Sequence, residues 1–211
     1  MASQSSIDRL CAHSSATLHE AYGQRGAFPN AIRPVIRGRG VIGRAFTVFS
    51  PPLDNYMLHE AIYAAQPGDV LVVHVGGAYD GGYFGEVMTV AAMTQKLGGL
   101  IIDGCVRDSK EIGDTGFGVF SRGLCIRGTT KRGGGYVQRP LVLGDLTVNP
   151  GDVIVGDDDG IVAVAIDDVD TLLEAADQRV ARETAMMARI RAGELRTIDS
   201  FKKGQPAVTG L

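Results

Sequence analysis

Two apolar runs constrain this chain most: Val70 to Val75, and Gly99-Leu100-Ile101-Ile102-Asp103-Gly104. A strand with one face in water alternates apolar and polar residues. These two do not alternate, so each is expected to be a strand covered on both faces. Between them lie a glycine-rich loop, Gly76 to Gly85, and a stretch with helical spacing, Glu86 to Leu97. Strand, helix, strand predicts a crossover unit with parallel strands, and hence an α/β fold.

The flanks extend that reading. Residues Ser6 to Tyr22 read as helical with Gly23 as the stop, and Ser15 is expected to cap a turn running Ala16 to Ala21. Val35 to Ser50 reads as one or two strands, Asn55 to Ala65 as a helix, and Gln66-Pro67-Gly68-Asp69 as a turn. Val119-Phe120 and Leu124-Cys125-Ile126 read as short strands, Gly133 to Gly135 as a loop, and Leu141 to Ile166 as all β. A long amphipathic helix follows over about 168–192. The last stretch, 201–211, lacks periodicity and is expected to be loose. No repeat or linker divides residues 1–211, which predicts a single domain.

Composition removes several functions. The chain carries 21 basic and 24 acidic residues, a net charge of −3, so nothing drives binding to a phosphate backbone. No apolar run is long enough for a membrane span. The start, MASQSSIDRL, lacks a signal-peptide pattern. The three cysteines, Cys11, Cys105 and Cys125, lack metal-type spacing, and a reduced, cytoplasmic setting is expected. Glycine is in excess: 29 residues, where an average of roughly 7% gives about 15.

The most informative local pattern is Gly81-Gly82-Tyr83-Phe84-Gly85-Glu86-Val87-Met88, followed by Asp103-Gly104-Cys105-Val106-Arg107-Asp108. Both loops follow the ends of neighbouring strands and should face one crevice. The first leads into a helix N-terminus, where free amides favour an anion. In the second, Arg107 can hold a carboxylate through two bonds, and Asp108 is a hard oxygen ligand for magnesium or manganese. A carboxylate clamp beside a divalent ion suits a 2-oxo acid, whose enolate the ion would stabilise. Each part also has a plainer reading. The glycines make tight turns, no nucleotide fingerprint is present, and Arg-Asp is a common surface pair.

The stretch from Gly85-Glu86 to Arg107-Asp108-Ser109-Lys110-Glu111 resembles a known family. That family joins the 4-hydroxy-4-methyl-2-oxoglutarate / 4-carboxy-4-hydroxy-2-oxoadipate aldolases with the regulators of ribonuclease E activity. An acidic residue, twenty intervening residues and then Arg-Asp marks the aldolase branch, and Glu86 to Arg107-Asp108 has this spacing. The aldolases commonly carry Asp where this chain has Glu86, which keeps the carboxylate but alters its reach. The resemblance spans about 15–195.

It implies a swivelling β/β/α domain, with central mixed sheets flanked by helices. It also implies a homotrimer or a dimer of trimers with active sites at subunit boundaries. The backbone of Gly85, Glu86, Val87 and Met88, with Arg107, would hold the pyruvyl part of a small 2-oxo acid. Asp108 would bind Mg2+ or Mn2+, and no Schiff-base lysine is involved. No lysine lies in either crevice loop before Lys110. The implied activity is metal-dependent cleavage to pyruvate and a second oxo acid, with oxaloacetate decarboxylation alongside, in aromatic catabolism. The alternative is a non-catalytic regulator that binds and inhibits a ribonuclease.

Three further residues have two readings each. Glu183 falls on the apolar face formed by Leu172, Ala176, Val180, Met187 and Ile190. It either pairs with Arg179 one turn earlier or completes a neighbouring subunit's site as a catalytic carboxylate beside Glu86 and Arg107. His74 is either a satisfied core histidine or a proton carrier. Cys105 is either a small buried residue or a reactive thiol. His13, His19 and His59 lack convergent partners in the sequence, and Asp157-Asp158-Asp159-Gly160 reads as a turn.

Overall fold

The structure, a computed structural model, describes residues 4–200. Its centre is four parallel strands: β2 (Val41–Phe49), β3 (Val70–His74), β4 (Gly99–Val106) and β5 (Val119–Leu124). Alternate residues of the two apolar runs enter different cores. Leu71, Val73, Leu100 and Ile102 pack under helices α3 (Tyr56–Ala64), α4 (Glu86–Thr94) and α5 (Ser109–Thr115). Val70, Val72 and Ile101 face the opposite way, onto Leu141, Leu143, Val148 and Ile154. Both faces are covered, which is why these strands carry no polar alternation.

The sheet is mixed and runs β1-β5-β4-β3-β2-β9-β10. Here β1 is Arg33–Pro34, β9 Val153–Gly156 and β10 Ile161–Val164. β9 lies antiparallel to the first half of β2, and β10 antiparallel to β9. β6 (Tyr136–Val137) pairs with the end of β2, while β7 (Leu141–Leu143) and β8 (Leu146–Val148) form a separate hairpin. A third core joins β9 and β10 to α1 (Gln4–Leu10), α2 (Ser15–Ala21) and α6 (Val169–Arg191). This is the mixed α/β architecture that the resemblance implies, a curled sheet flanked by helices.

Several expected boundaries move for identifiable reasons. The helical stretch Ser6 to Tyr22 divides into two helices, because Cys11, Ala12 and His13 turn back onto the carbonyls of Asp8, Arg9 and Leu10. Ser14, not Ser15, caps the second helix, its side chain accepting from the Thr17 amide. Ser15 instead donates through its amide and hydroxyl to Asp157, at 2.7 and 2.6 Å. The first strand after Val35 begins only at Val41, and the helix from Glu86 stops at Thr94. Leu124 closes β5, and Cys125 and Ile126 lie beyond it. The apolar face of α6 is buried only at its start: Leu172 and Ala176 are in the core, but Val180 and Met187 are more than 40% exposed. This helix outruns the body of its own chain. Residues 201–211, expected to be loose, lie outside the described residues. No described helix is long and apolar enough to cross a membrane.

Candidate active site

The two loops singled out by the sequence meet beyond the ends of β3 and β4. The glycine loop is pinned along the continuation of β4, where the Tyr83 amide donates to Cys105 O and the Arg107 amide to Phe84 O, both at 2.9 Å. Tyr83 is wholly buried, and its hydroxyl accepts from the Leu53 amide at 2.7 Å and donates to Ala78 O at 2.8 Å. These bonds fix where Gly85 ends and α4 begins.

Asp108 sits in the left-handed region (φ 57°, ψ 42°), which aspartate tolerates better than most residues. The turn brings its carboxylate back over the glycine loop. Asp108 Oδ2 accepts from the Glu86 amide at 3.1 Å and lies 3.6 Å from Arg107 Nε. An anionic oxygen thus stands at the positive end of α4, beside a guanidinium. The side chains of Arg107 and Asp108 are 47% and 38% exposed, so both can reach a ligand.

They open onto a cavity of about 250 Å³. Its lining includes Gly82 to Gly85, Val87 and Met88, with Arg107 and Asp108. Val87 and Met88 lie in the first turn of α4, where amides have no intrahelical acceptor. Glu86 is exposed at the same helix start. Among the described residues no three His, Cys, Asp or Glu side chains cluster as a metal cage. Asp108 can therefore supply one protein oxygen, with Glu86 nearby, and the remaining coordination would come from water and substrate. Magnesium commonly accepts that arrangement.

The rest of the lining was not legible in the sequence. It consists of Asn55, His59, Gly128, Thr129 and Lys131. Asp54, only 3% exposed, straps the loop carrying the last three to the start of α3. It accepts from the Tyr56 amide at 2.9 Å, from Thr130 Oγ1 at 2.7 Å and from the Arg132 amide. Burial pushes the Asp54 carboxyl up, but these bonds outweigh it and hold its pKa below the ordinary carboxylate value. Burial, with the Lys131 charge, lowers the pKa of His59. Neither crevice loop carries a lysine before Lys110, but Lys131 also lines the cavity. Lys131 comes from a loop well after both strands.

Other singled-out residues lie elsewhere. Glu183 bonds Arg179 at 2.8 Å, on a helix packed against α1 and α2, and does not line this cavity. His74 has its Nδ1 3.1 Å from Asp103 Oδ2, and Arg122 Nε donates to the other oxygen. Burial raises the Asp103 pKa, yet His74 and Arg122 bring it below the usual value. His74 is thus a partnered histidine that does not line the cavity. Burial raises the pKa of the Cys105 thiol, as suits a packed residue.

Comparison with known proteins shows the family. Residues 11–163 match a family described as RraA-like, Aldolase/RraA. A relative from Halalkalibacterium halodurans, named "Putative 4-hydroxy-4-methyl-2-oxoglutarate aldolase", is 31% identical over 156 residues, 74% of each chain. A solved, uncharacterized protein from Pseudomonas syringae pv. tomato superposes with a TM-score of 0.84 at 28% identity, covering 97% of this chain and 95% of that one. The Streptomyces coelicolor protein RraAS2, described as an unusual member of the RNase ES inhibitor RraA family, gives 0.77 at 25% identity, over 88% and 98%. The paired loops, their acidic-to-Arg-Asp spacing and these likenesses converge: the chain belongs to the RraA-like Aldolase/RraA family.

Proposed function

We propose that this chain is a divalent-metal-dependent pyruvate aldolase. Its substrate is a 4-hydroxy-2-oxo di- or tricarboxylic acid, such as 4-hydroxy-4-methyl-2-oxoglutarate or 4-carboxy-4-hydroxy-2-oxoadipate. The observation that carries this reading is the convergence of Arg107, Asp108 and the start of α4 on one cavity, with Asp108 Oδ2 3.1 Å from the Glu86 amide.

In this mechanism Arg107 grips the C1 carboxylate of the substrate, and the first-turn amides at Val87 and Met88 orient it. Asp108, partly through water, would hold Mg2+ or Mn2+, which supplies Lewis acidity toward the keto oxygen. A water held by Glu86 takes the C4 hydroxyl proton. The C3–C4 bond breaks, its electron pair passes into the pyruvate enolate, and Arg107 offsets the growing negative charge. Protonation at C3 gives pyruvate, and C4 leaves as the carbonyl of the second oxo acid. Oxaloacetate reaches the same enolate by losing CO2.

The family resemblance adds an oligomer, a trimer or paired trimers, in which Glu183 of one subunit joins a neighbour's site. The exposed Val180 and Met187 of α6 support burial of that helix against a second copy.

The test is pyruvate release in a lactate-dehydrogenase-coupled assay, with and without magnesium. Asp108→Ala should lower kcat/KM by about 100-fold or more. Full activity in chelator, or in that variant, would falsify the mechanism. The alternative, a regulator that binds a ribonuclease, rests on the likeness to RraAS2. Tight ribonuclease binding without metal-dependent pyruvate release would establish it instead.

A further inference from the structure

We infer that Asn55, His59 and Lys131 form the subsite for the departing half of the substrate: Asn55 and His59 hold the C4 hydroxyl, and Lys131 holds the carboxylate beyond it. This rests on the aldolase reading and deepens it.

Two unsatisfied atoms lead to it. Asn55 Oδ1 and His59 Nε2 are buried and, among the described residues, have no hydrogen-bond partner. Both residues line the cavity that holds Arg107 and Asp108, and Asn55 is only 5% exposed. The amide orientation of Asn55 is fixed by chemistry. Its Nδ2 donates to Tyr83 O at 2.9 Å, and a carbonyl cannot bond the oxygen end. Oδ1 is therefore left over, and it can only accept.

The two residues stand one helical turn apart at the start of α3. Burial and the Lys131 charge favour neutral imidazole at His59. A neutral imidazole nitrogen either donates or accepts, according to its tautomer. An obligate acceptor beside such a nitrogen repels a carboxylate and matches an alcohol. With the imidazole proton on Nε2, the alcohol donates to Asn55 Oδ1 and accepts from His59 Nε2, which pairs both atoms. Buried polar atoms are costly to leave unpaired, so a ligand that pairs both is favoured.

Lys131 adds the second requirement. It lines the same cavity and is exposed, so a ligand can reach it. With Arg107 in the same lining, the cavity presents two cations. A substrate with a carboxylate at each end and a hydroxyl between matches this pattern, and a plain 2-oxo monoacid does not.

The test exploits what each substrate lacks. Oxaloacetate has no hydroxyl, and 4-hydroxy-2-oxopentanoate has no second carboxylate. For His59→Phe, cleavage of 4-hydroxy-4-methyl-2-oxoglutarate should fall about 30- to 100-fold. Oxaloacetate decarboxylation should fall by less than threefold, which also shows that the variant is folded. For Lys131→Met, the preference for 4-hydroxy-4-methyl-2-oxoglutarate over 4-hydroxy-2-oxopentanoate should collapse. Equal losses on both reactions in His59→Phe, or none on either, would overturn the hydroxyl assignment while leaving the aldolase reading intact. An unchanged preference in Lys131→Met would overturn the carboxylate assignment. A wild-type protein that releases pyruvate from no hydroxy acid would refute the aldolase reading itself and this subsite with it.

Discussion

Gly85 and Asp108 compete for the same space: a Cβ added to Gly85 would stand 2.3 Å from Asp108 Oδ2. The backbone at Gly85 is extended (φ −154°), so the contact, not the torsion, demands glycine there. Gly85→Ala should push the Asp108 carboxylate out of place and lower kcat/KM by about 100-fold. The melting temperature should move little, because Asp108 is partly exposed. A Gly85→Ala enzyme with wild-type kcat/KM would show that the position of Asp108 is unimportant.

Lys131 in the cavity wall raises the possibility of imine chemistry, and a direct trap decides it. An imine-forming lysine needs an amine freed of its proton, commonly in a dry pocket. Lys131 is exposed. Incubation with pyruvate and borohydride should therefore leave the protein mass unchanged. A pyruvyl adduct on Lys131 would replace the metal mechanism with a Schiff-base one.

The Asp54 strap has a pH signature. Its folded pKa lies below the ordinary carboxylate value, so the unfolded chain binds the proton more readily. The contribution is complete above the ordinary value and disappears as pH falls through the lowered one. Asp54→Asn sets an amide N–H against backbone donors and should cost about 1–3 kcal/mol near neutrality. The gap in melting temperature from wild type should narrow steadily below pH 4. A constant gap down to pH 2.5 would mean the carboxylate charge is not what matters. KM should rise in the same variant, because the loop carrying Lys131 loses its anchor.

The outer half of α6 offers a test of assembly. Val180 and Met187 are exposed on a 23-residue helix whose buried residues end at Ala176. Val180→Glu with Met187→Glu should shift light-scattering mass toward the monomer and reduce pyruvate release in step. An unchanged mass would exclude this face from the interface. A monomer with full activity would remove Glu183 from the site.

What the sequence made legible follows from how locally each feature is encoded. β3 and β4 were readable because strands buried on both faces lose their alternation, and α3 because its spacing is uninterrupted. Glu86, Arg107 and Asp108 could be placed together because neighbouring parallel strands end at the same edge. Asn55, His59 and Lys131 could not. They meet through Asp54, whose partners include the amides of Tyr56 and Arg132, and amides leave no mark in a sequence. The break at Cys11 to Ser14 was hidden because the pattern runs on through it, and only the choice between two adjacent serines decides the cap. What covers the distal face of α6 was not legible, because apolar spacing does not reveal which surface lies against it.

The pairing of Val41 with Gly156 and of Ile42 with Val155 bears on how the protein is made. While the chain leaves the ribosome, the first half of β2 must wait for partners encoded more than a hundred residues later. A nascent or truncated product ending before β9 would present an open, apolar β edge, the kind of surface that recruits other chains into aggregates. Early termination should therefore yield insoluble material rather than a smaller working enzyme.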